Sequence, residues 1–238
     1  MSRSIRRLAV AAACTLIAAR AGAQGTLHEH LDPARLRAGT DSFVVLLQGA
    51  PRGWQRLTVA RDGDGWRVGD AITIDSLVSQ SSDVLLDAAL RERRLRQEGV
   101  MRGRPMRIAL DFADGRVAGR ALTPSAPAEV AIDTAVSAQT FDDNAIAPLL
   151  AAVRWQAGLE IATPVLASGK GTVETHTLRV TGEERVTVPA GTFDTWRIEH
   201  RAGRSMVVAH VTRAAPYRVV RLSNGPAFTM ELVEATPR

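Results

Sequence analysis

Between Leu178 and Leu222 the apolar residues recur at every second position in short successive runs. Leu178 and Val180, Val186 and Val188, and Trp196 and Ile198 alternate with polar neighbours, Met206 and Val208 follow, and Val219, Val220 and Leu222 close the series. Each run ends at a turn-forming stretch: Thr181-Gly182, Pro189-Ala190-Gly191, Ala202-Gly203 and Ala215-Pro216. Only a pleated strand sends alternate side chains to one face, so this pattern specifies an antiparallel meander.

The same pattern runs through most of the chain. After a polar segment over residues 24–40, Phe43 to Leu47 reads as a short buried strand broken at Gly49-Ala50-Pro51. Trp54 to Ala60 and Trp66 to Ile74 flank Asp62-Gly63-Asp64-Gly65, and Asp-Gly between alternating runs is a strong hairpin signal. That register puts Leu57 with Val59 on one face, and Trp66 with Val68. Residues 81–98 have helical propensity, with Ser82 or Asp83 as a cap, but Leu85, Leu86, Leu90 and Leu95 make no helical stripe. The favoured reading is a strand, a turn at Asp87-Ala88-Ala89 and a second strand through Leu95. Met106 to Phe112 and Arg116 to Leu122 form another hairpin across Ala113-Asp114-Gly115. The best helix is Asp142 to Val153, capped by Asp142, Asp143 or Asn144, with Ile146, Leu149, Leu150 and Val153 on one face. Pro148 is placed close to its first turn, where a missing N–H does least harm. The expected fold class is mainly β: one strongly curved antiparallel sheet, an open half-barrel, with one or two helices against its concave face.

Residues 1–23 carry Arg3, Arg6, Arg7 and Arg20, an apolar run from Leu8 to Ala19, and Ala21-Gly22-Ala23 before Gln24. This is the pattern of a signal peptide cleaved near Ala23, leaving 24–238 as a single domain in the periplasm or outside the cell. Arg6-Arg7 also fits a twin-arginine signal, although its flanks do not. The formal net charge of +5, less those four arginines, becomes +1, so the high isoelectric point identifies no polyanionic partner. Cys14, the one cysteine, lies in the removed segment, which excludes disulfides and thiol chemistry from the mature domain.

The run from Val186 to Trp196 is similar to a motif in a large family of bacterial envelope proteins of unknown function, in which a strand ends at Val-x-x-Gly-x-Phe-Asp and a paired strand follows. Val188, Gly191, Phe193 and Asp194 occupy that motif here. Val180 to Glu184, Ala214 to Val220 and the helix start Phe141-Asp142-Asp143-Asn144 also fit. The family resembles, at a distance, the lipoprotein-localisation carriers, in which a β half-barrel is closed by helices over an apolar cavity. His210 stands where such members carry a tryptophan, a departure from an aromatic-lined site. Gly191 is expected to take a positive φ at a tight turn, and Phe193 to fold back as a core plug.

Candidate chemistry is sparse. His28 and His30 share a face on an extended segment, but two ligands make no metal site and a mobile polar arm explains them better. Asp62 and Asp64 lack the further acidic ligands of a calcium loop, and Ser168-Gly169-Lys170-Gly171 lacks the Ser or Thr of a phosphate loop. No nucleophile elbow occurs. Arg91, Arg93, Arg94, Arg96, Arg102, Arg104 and Arg107 could meet anionic headgroups, but a solvated strand face accounts for them, and base-stacking aromatics are not interleaved. Trp54, Trp66, Trp155 and Trp196 are read chiefly as core. The sequence therefore points to a non-enzymatic protein without metal or cofactor, binding a lipid or other apolar ligand between sheet and helix at Leu149, Leu150, Val153, Trp155 and Trp196. The alternatives are an envelope protein-interaction module with a filled core and, further off, a hydrolase with a dispersed site.

Overall fold

The structure, a computed structural model, describes residues 23–236; the expected signal peptide lies almost wholly outside them. Eight strands follow one another as a meander: β1 (Gly39–Leu47), β2 (Ala50–Asp62), β3 (Gly65–Ile74), β4 (Val78–Leu86), β5 (Glu92–Met101), β6 (Arg104–Ala113), β7 (Arg116–Leu122) and β8 (Val130–Ala135). After β9 (Phe141–Asp142), a second meander comprises β10 (Glu160–Ala167), β11 (Thr172–Val188), β12 (Gly191–Ala202), β13 (Ser205–Thr212), β14 (Val219–Ser223) and β15 (Thr229–Ala235). The two meanders join where β1 pairs with β15, giving one fifteen-stranded sheet whose edges are β8 and β9. It is antiparallel throughout except for the two-residue parallel pairing of β9 with β10. The sheet curls but does not close. Near its two edges, Thr134 Oγ1 of β8 donates to the Gly171 carbonyl beside β11 at 2.7 Å.

Alternation sets which face of the sheet is buried. Leu57, Val59, Trp66 and Val68 are all buried, as their register requires. Residues 83–98 form the expected strand–turn–strand, with Leu90 at a positive φ of 60° in the turn. Tight turns need left-handed backbone, and Asp114 and Gly115 supply it with φ of 51° and 73°, the pair a two-residue hairpin favours.

Five expectations need correction. Thr181-Gly182 does not end a run: β11 continues through it as a seventeen-residue strand, and the register shift between Val180 and Gly182 is a β-bulge. A bulge needs one extra residue on one strand, which reads in sequence like a turn. The segment before β1 is not a mobile polar arm. It forms α1 (Leu27–His30) and a 3₁₀ turn over Pro33–Arg35, anchored by buried Leu27, Leu31 and Leu36. Helix α2 spans Asp143–Leu149 and tightens into a 3₁₀ turn at Leu150–Ala152. Pro148 therefore sits near its C-terminus, not in its first turn, and the Leu150 amide bonds back to Ala147 in 3₁₀ fashion. Trp54 is 46% exposed rather than core. Phe193 plugs the core only in part: it is half-buried, packing against the core from the wall of a surface groove. Gly191 does take the expected positive φ, at 137°.

Helix α2, capped by the Asp142 carboxylate accepting from the Asn144 amide, lies in the curl of the sheet, its residues reaching β2, β3 and β4. Its buried side chains Ile146 and Leu149 join the core of both meanders.

Candidate functional site

Two cavities flank the second meander. The first, about 280 Å³, lies inside the curl beneath α2, between Ile146, Ala147 and Leu150 on the helix side and Val207 and Leu222 on the sheet, with Phe228 in the loop just before β15. The second is an outer groove of about 950 Å³ along the β11–β12 turn, the 213–216 loop and the end of β15, with Trp155, Phe193 and Trp196 in its wall.

The five predicted ligand residues do not share one cavity. Leu150 lines the inner cleft, whereas Trp155 and Trp196 line the outer groove. Leu149 and Val153 are fully buried in the core and line neither. Trp155 donates from its indole N–H to the Leu150 carbonyl at 2.9 Å, which ties the two sites through one short loop. Of the motif residues, Val188 is buried, while Asp194 is exposed at the groove.

Sequence reasoning missed the polar groups of the inner cleft: Gln55, Asp70, Gln80, Asp143 and His200. Gln55 faces Ile72 across the β2–β3 pair, and Ile72 faces Gln80 across β3–β4, so they form one cross-strand row on the inner face. Gln55 Nε2 donates to Asp70 Oδ2 at 2.6 Å, while buried Asp70 Oδ1 and Gln80 Oε1 have no hydrogen-bond partner. Burial pushes the Asp70 carboxyl up to about 6, against the opposing effect of the Gln55 hydrogen bond. His200 Nε2 lies 3.0 Å from His176 Nδ1. Burial, helped by the neighbouring His176, holds His200 down to about 4, so the ring is neutral at neutral pH. The signal available in sequence was phase: Asp70 sits between Val68 and Ile72 on the inward register.

Beside the cleft, Glu92 and Asp142 are buried together, with the Asp142 amide donating to Glu92 Oε2 at 2.8 Å. A register shift between Leu85 and Leu86 leaves Arg93 without an opposite residue, which turns both Glu92 and Leu95 inward. Burial, reinforced by the negative charge of Asp142, holds Glu92 well above the usual carboxylate range. A carboxyl raised in the fold contributes stability below its unfolded pKa and loses it as pH rises through the folded one. Glu92→Gln, which keeps the oxygen accepting from Asp142, is therefore expected to raise stability at pH 8 and to leave it unchanged in acid. Chemical unfolding at both pH values checks this; an equal effect at both would refute the buried proton.

The other candidates are placed without forming a site. His28 Nε2 meets the Ala89 carbonyl at 3.1 Å and His30 Nε2 the Gln24 carbonyl at 2.6 Å. Among the described residues no group of three or more His, Cys, Asp or Glu is arranged to hold a metal ion. His210 Nε2 lies 3.0 Å from Glu184 Oε2. Within the arginine-rich stretch, Arg93 pairs with Asp87, Arg96 with Asp111, and Arg104 donates to the Pro124 carbonyl. No described helix is long and apolar enough to cross a membrane.

A family model described as protein of unknown function (DUF3108) matches residues 43–233, well over half of the chain. The chain belongs to the DUF3108 family. Among curated proteins, none matches it. The fold of this DUF3108 chain is similar to a β-barrel-like protein of the DUF1849 domain from Brucella abortus, with 13% identity and a TM-score of 0.57, covering 86% of this chain and 99% of the other. Matches to a candidate lipoprotein of Parabacteroides distasonis (12% identity, 85% of this chain, 96% of the other) and a candidate exported protein with a YmcC-like fold from Bacteroides fragilis (8%, 85% and 97%) have TM-scores of 0.29 and 0.26. Scores that low carry no structural inference. The likeness to the Brucella protein bears on the fold of the DUF3108 chain alone.

Proposed function

We propose that this DUF3108 protein is a non-enzymatic carrier of the bacterial envelope that shelters an apolar group in the inner cleft. The observation that carries the reading is the cleft itself, a space of about 280 Å³ walled mostly by aliphatic and aromatic side chains yet held open between helix and sheet. The resemblance of the Val188–Asp194 motif to envelope proteins with a half-barrel fold, and the signal-like residues 1–23, support the same reading and an exported location.

Hiding apolar surface contributes about 25 cal/mol per Å². A ligand burying on the order of 200 Å² thus gains roughly 5 kcal/mol before immobilisation is counted, which limits affinity to the sub-millimolar range. Ala147 lines the cleft from α2 and is half-buried, so a larger side chain there fills space without removing a core contact. Ala147→Trp is expected to weaken binding of a neutral environment-sensitive apolar dye at least tenfold while leaving the circular dichroism spectrum intact. Native mass spectrometry of protein from a periplasmic extract is expected to show a co-purifying apolar adduct that the variant lacks. No dye binding by the wild type, or equal binding by the variant, would remove the carrier reading.

A second reading attaches to the outer groove. Arg213 lies 4.9 Å over the Trp196 ring and Arg35 3.5 Å over the Tyr217 ring, and paired arginines and aromatics are the composition of protein-binding hot spots. Under that reading the groove docks an envelope partner, and Trp196→Ala abolishes partner capture without changing dye binding.

A further inference from the structure

Among the described residues no Lys or Arg lines the inner cleft. Its polar end consists of acceptors and neutral groups. Asp70 and Asp143 bring carboxylates, Gln55 is committed to Asp70, and the Asp143 Oδ1 atom already accepts the Ser168 hydroxyl at 2.7 Å. That leaves Asp70 Oδ1 and Gln80 Oε1, two buried acceptors without partners on adjacent strands. A buried acceptor left unmade costs free energy, and a ligand donor that satisfies it recovers that cost. An acidic ligand would meet a harder situation, because a carboxylate or phosphate placed beside Asp70 finds no cation among the lining residues and only neutral N–H donors to compensate its desolvation.

We infer that the inner cleft selects an amphiphile with a protonated amine at its polar end: an alkyl chain lies against Ile146, Leu150 and Phe228 while the ammonium donates to Asp70 and Gln80. This rests on the carrier reading and names the ligand class within it. A single ammonium has three donors on a compact centre, enough for both orphan oxygens. The apolar wall supplies affinity common to every amphiphile of that length, and the two acceptors supply the discrimination.

The test is isothermal titration of the mature protein with octylamine, octanol and octanoate, which share a chain and differ at the head. Wild type is expected to bind octylamine at least tenfold more tightly than octanoate, with octanol between them. Asp70→Asn, which keeps an oxygen for Gln55 but removes the charge, is expected to lose that preference and to retain octanol binding. Octanoate binding as well as octylamine, or a preference for octylamine that survives Asp70→Asn, overturns the amine selection and leaves the carrier reading standing. No binding of any of the three, or binding that Ala147→Trp leaves unaltered, overturns both.

Discussion

Arg218→Ala is expected to destabilise the protein by roughly 3–5 kcal/mol, the cost of removing one member of a buried ion pair. Arg218 and Asp41 are 7% and 3% exposed, and a guanidinium nitrogen lies 3.2 Å from the carboxylate. The pair links the start of β14 to β1 across 177 residues of sequence, close to where the first and second meanders join. The Arg218 amide also donates to Thr212 Oγ1, and that hydroxyl donates to the Pro216 carbonyl, so the loop before β14 is tied at several points. Without the guanidinium the buried Asp41 carboxylate loses a charge-assisted partner. For a domain of this size the loss corresponds to a fall in Tm of roughly 6–20 °C. Replacing both partners with apolar side chains is expected to restore much of the stability, because the desolvation of two ions is removed together. Thermal unfolding of the single and double variants decides this; a double variant as unstable as the single one would show that the loop, not the pair, carries the effect.

Asp70→Asn is expected to raise stability at neutral pH by on the order of 3 kcal/mol, the linkage equivalent of moving a carboxyl from its ordinary value to about 6. The sign follows from which form the fold prefers. Burial favours the protonated acid, so the wild-type side chain contributes its full share below the unfolded pKa of 3.8 and loses it as pH rises through about 6. The difference between variant and wild type should vanish near pH 3.5, grow between about pH 4 and 6, and level off above that range. Urea unfolding midpoints across a pH series measure it. A difference that does not change with pH would mean that Asp70 titrates alike in the folded and unfolded states.

The β-rich class, most hairpins and the helix over the curl were legible because each depends on a local period or a turn dipeptide. Val68 and Leu57 could be assigned to the interior from alternation, and Asp114-Gly115 announced its turn by chemistry. The bulges were not legible. One extra residue at Arg93 or Thr181 inverts the phase of everything beyond it, so Glu92 is buried against a simple alternation and β11 passes through a Thr-Gly that resembles a stop. The docked segment before β1 was missed for a related reason: Leu27, Leu31 and Leu36 are too sparse to form a stripe, and their burial depends on a surface made by distant strands.

Leu150, Trp155 and Trp196 were recognisable as large apolar residues near the meander, but not as members of two separate cavities. The sequence by itself determined the period of the strands and most of the places where the chain turns, and it narrowed the cap of α2 to Asp142, Asp143 or Asn144, all through interactions within a few residues. Only the tertiary structure decided that β1 pairs with β15, that Arg218 meets Asp41, and that Gln55, Asp70 and Gln80 share one face with His200 across the cleft. Those outcomes depend on the sum of bulges and twists over fifteen strands, and no local pattern encodes such a sum.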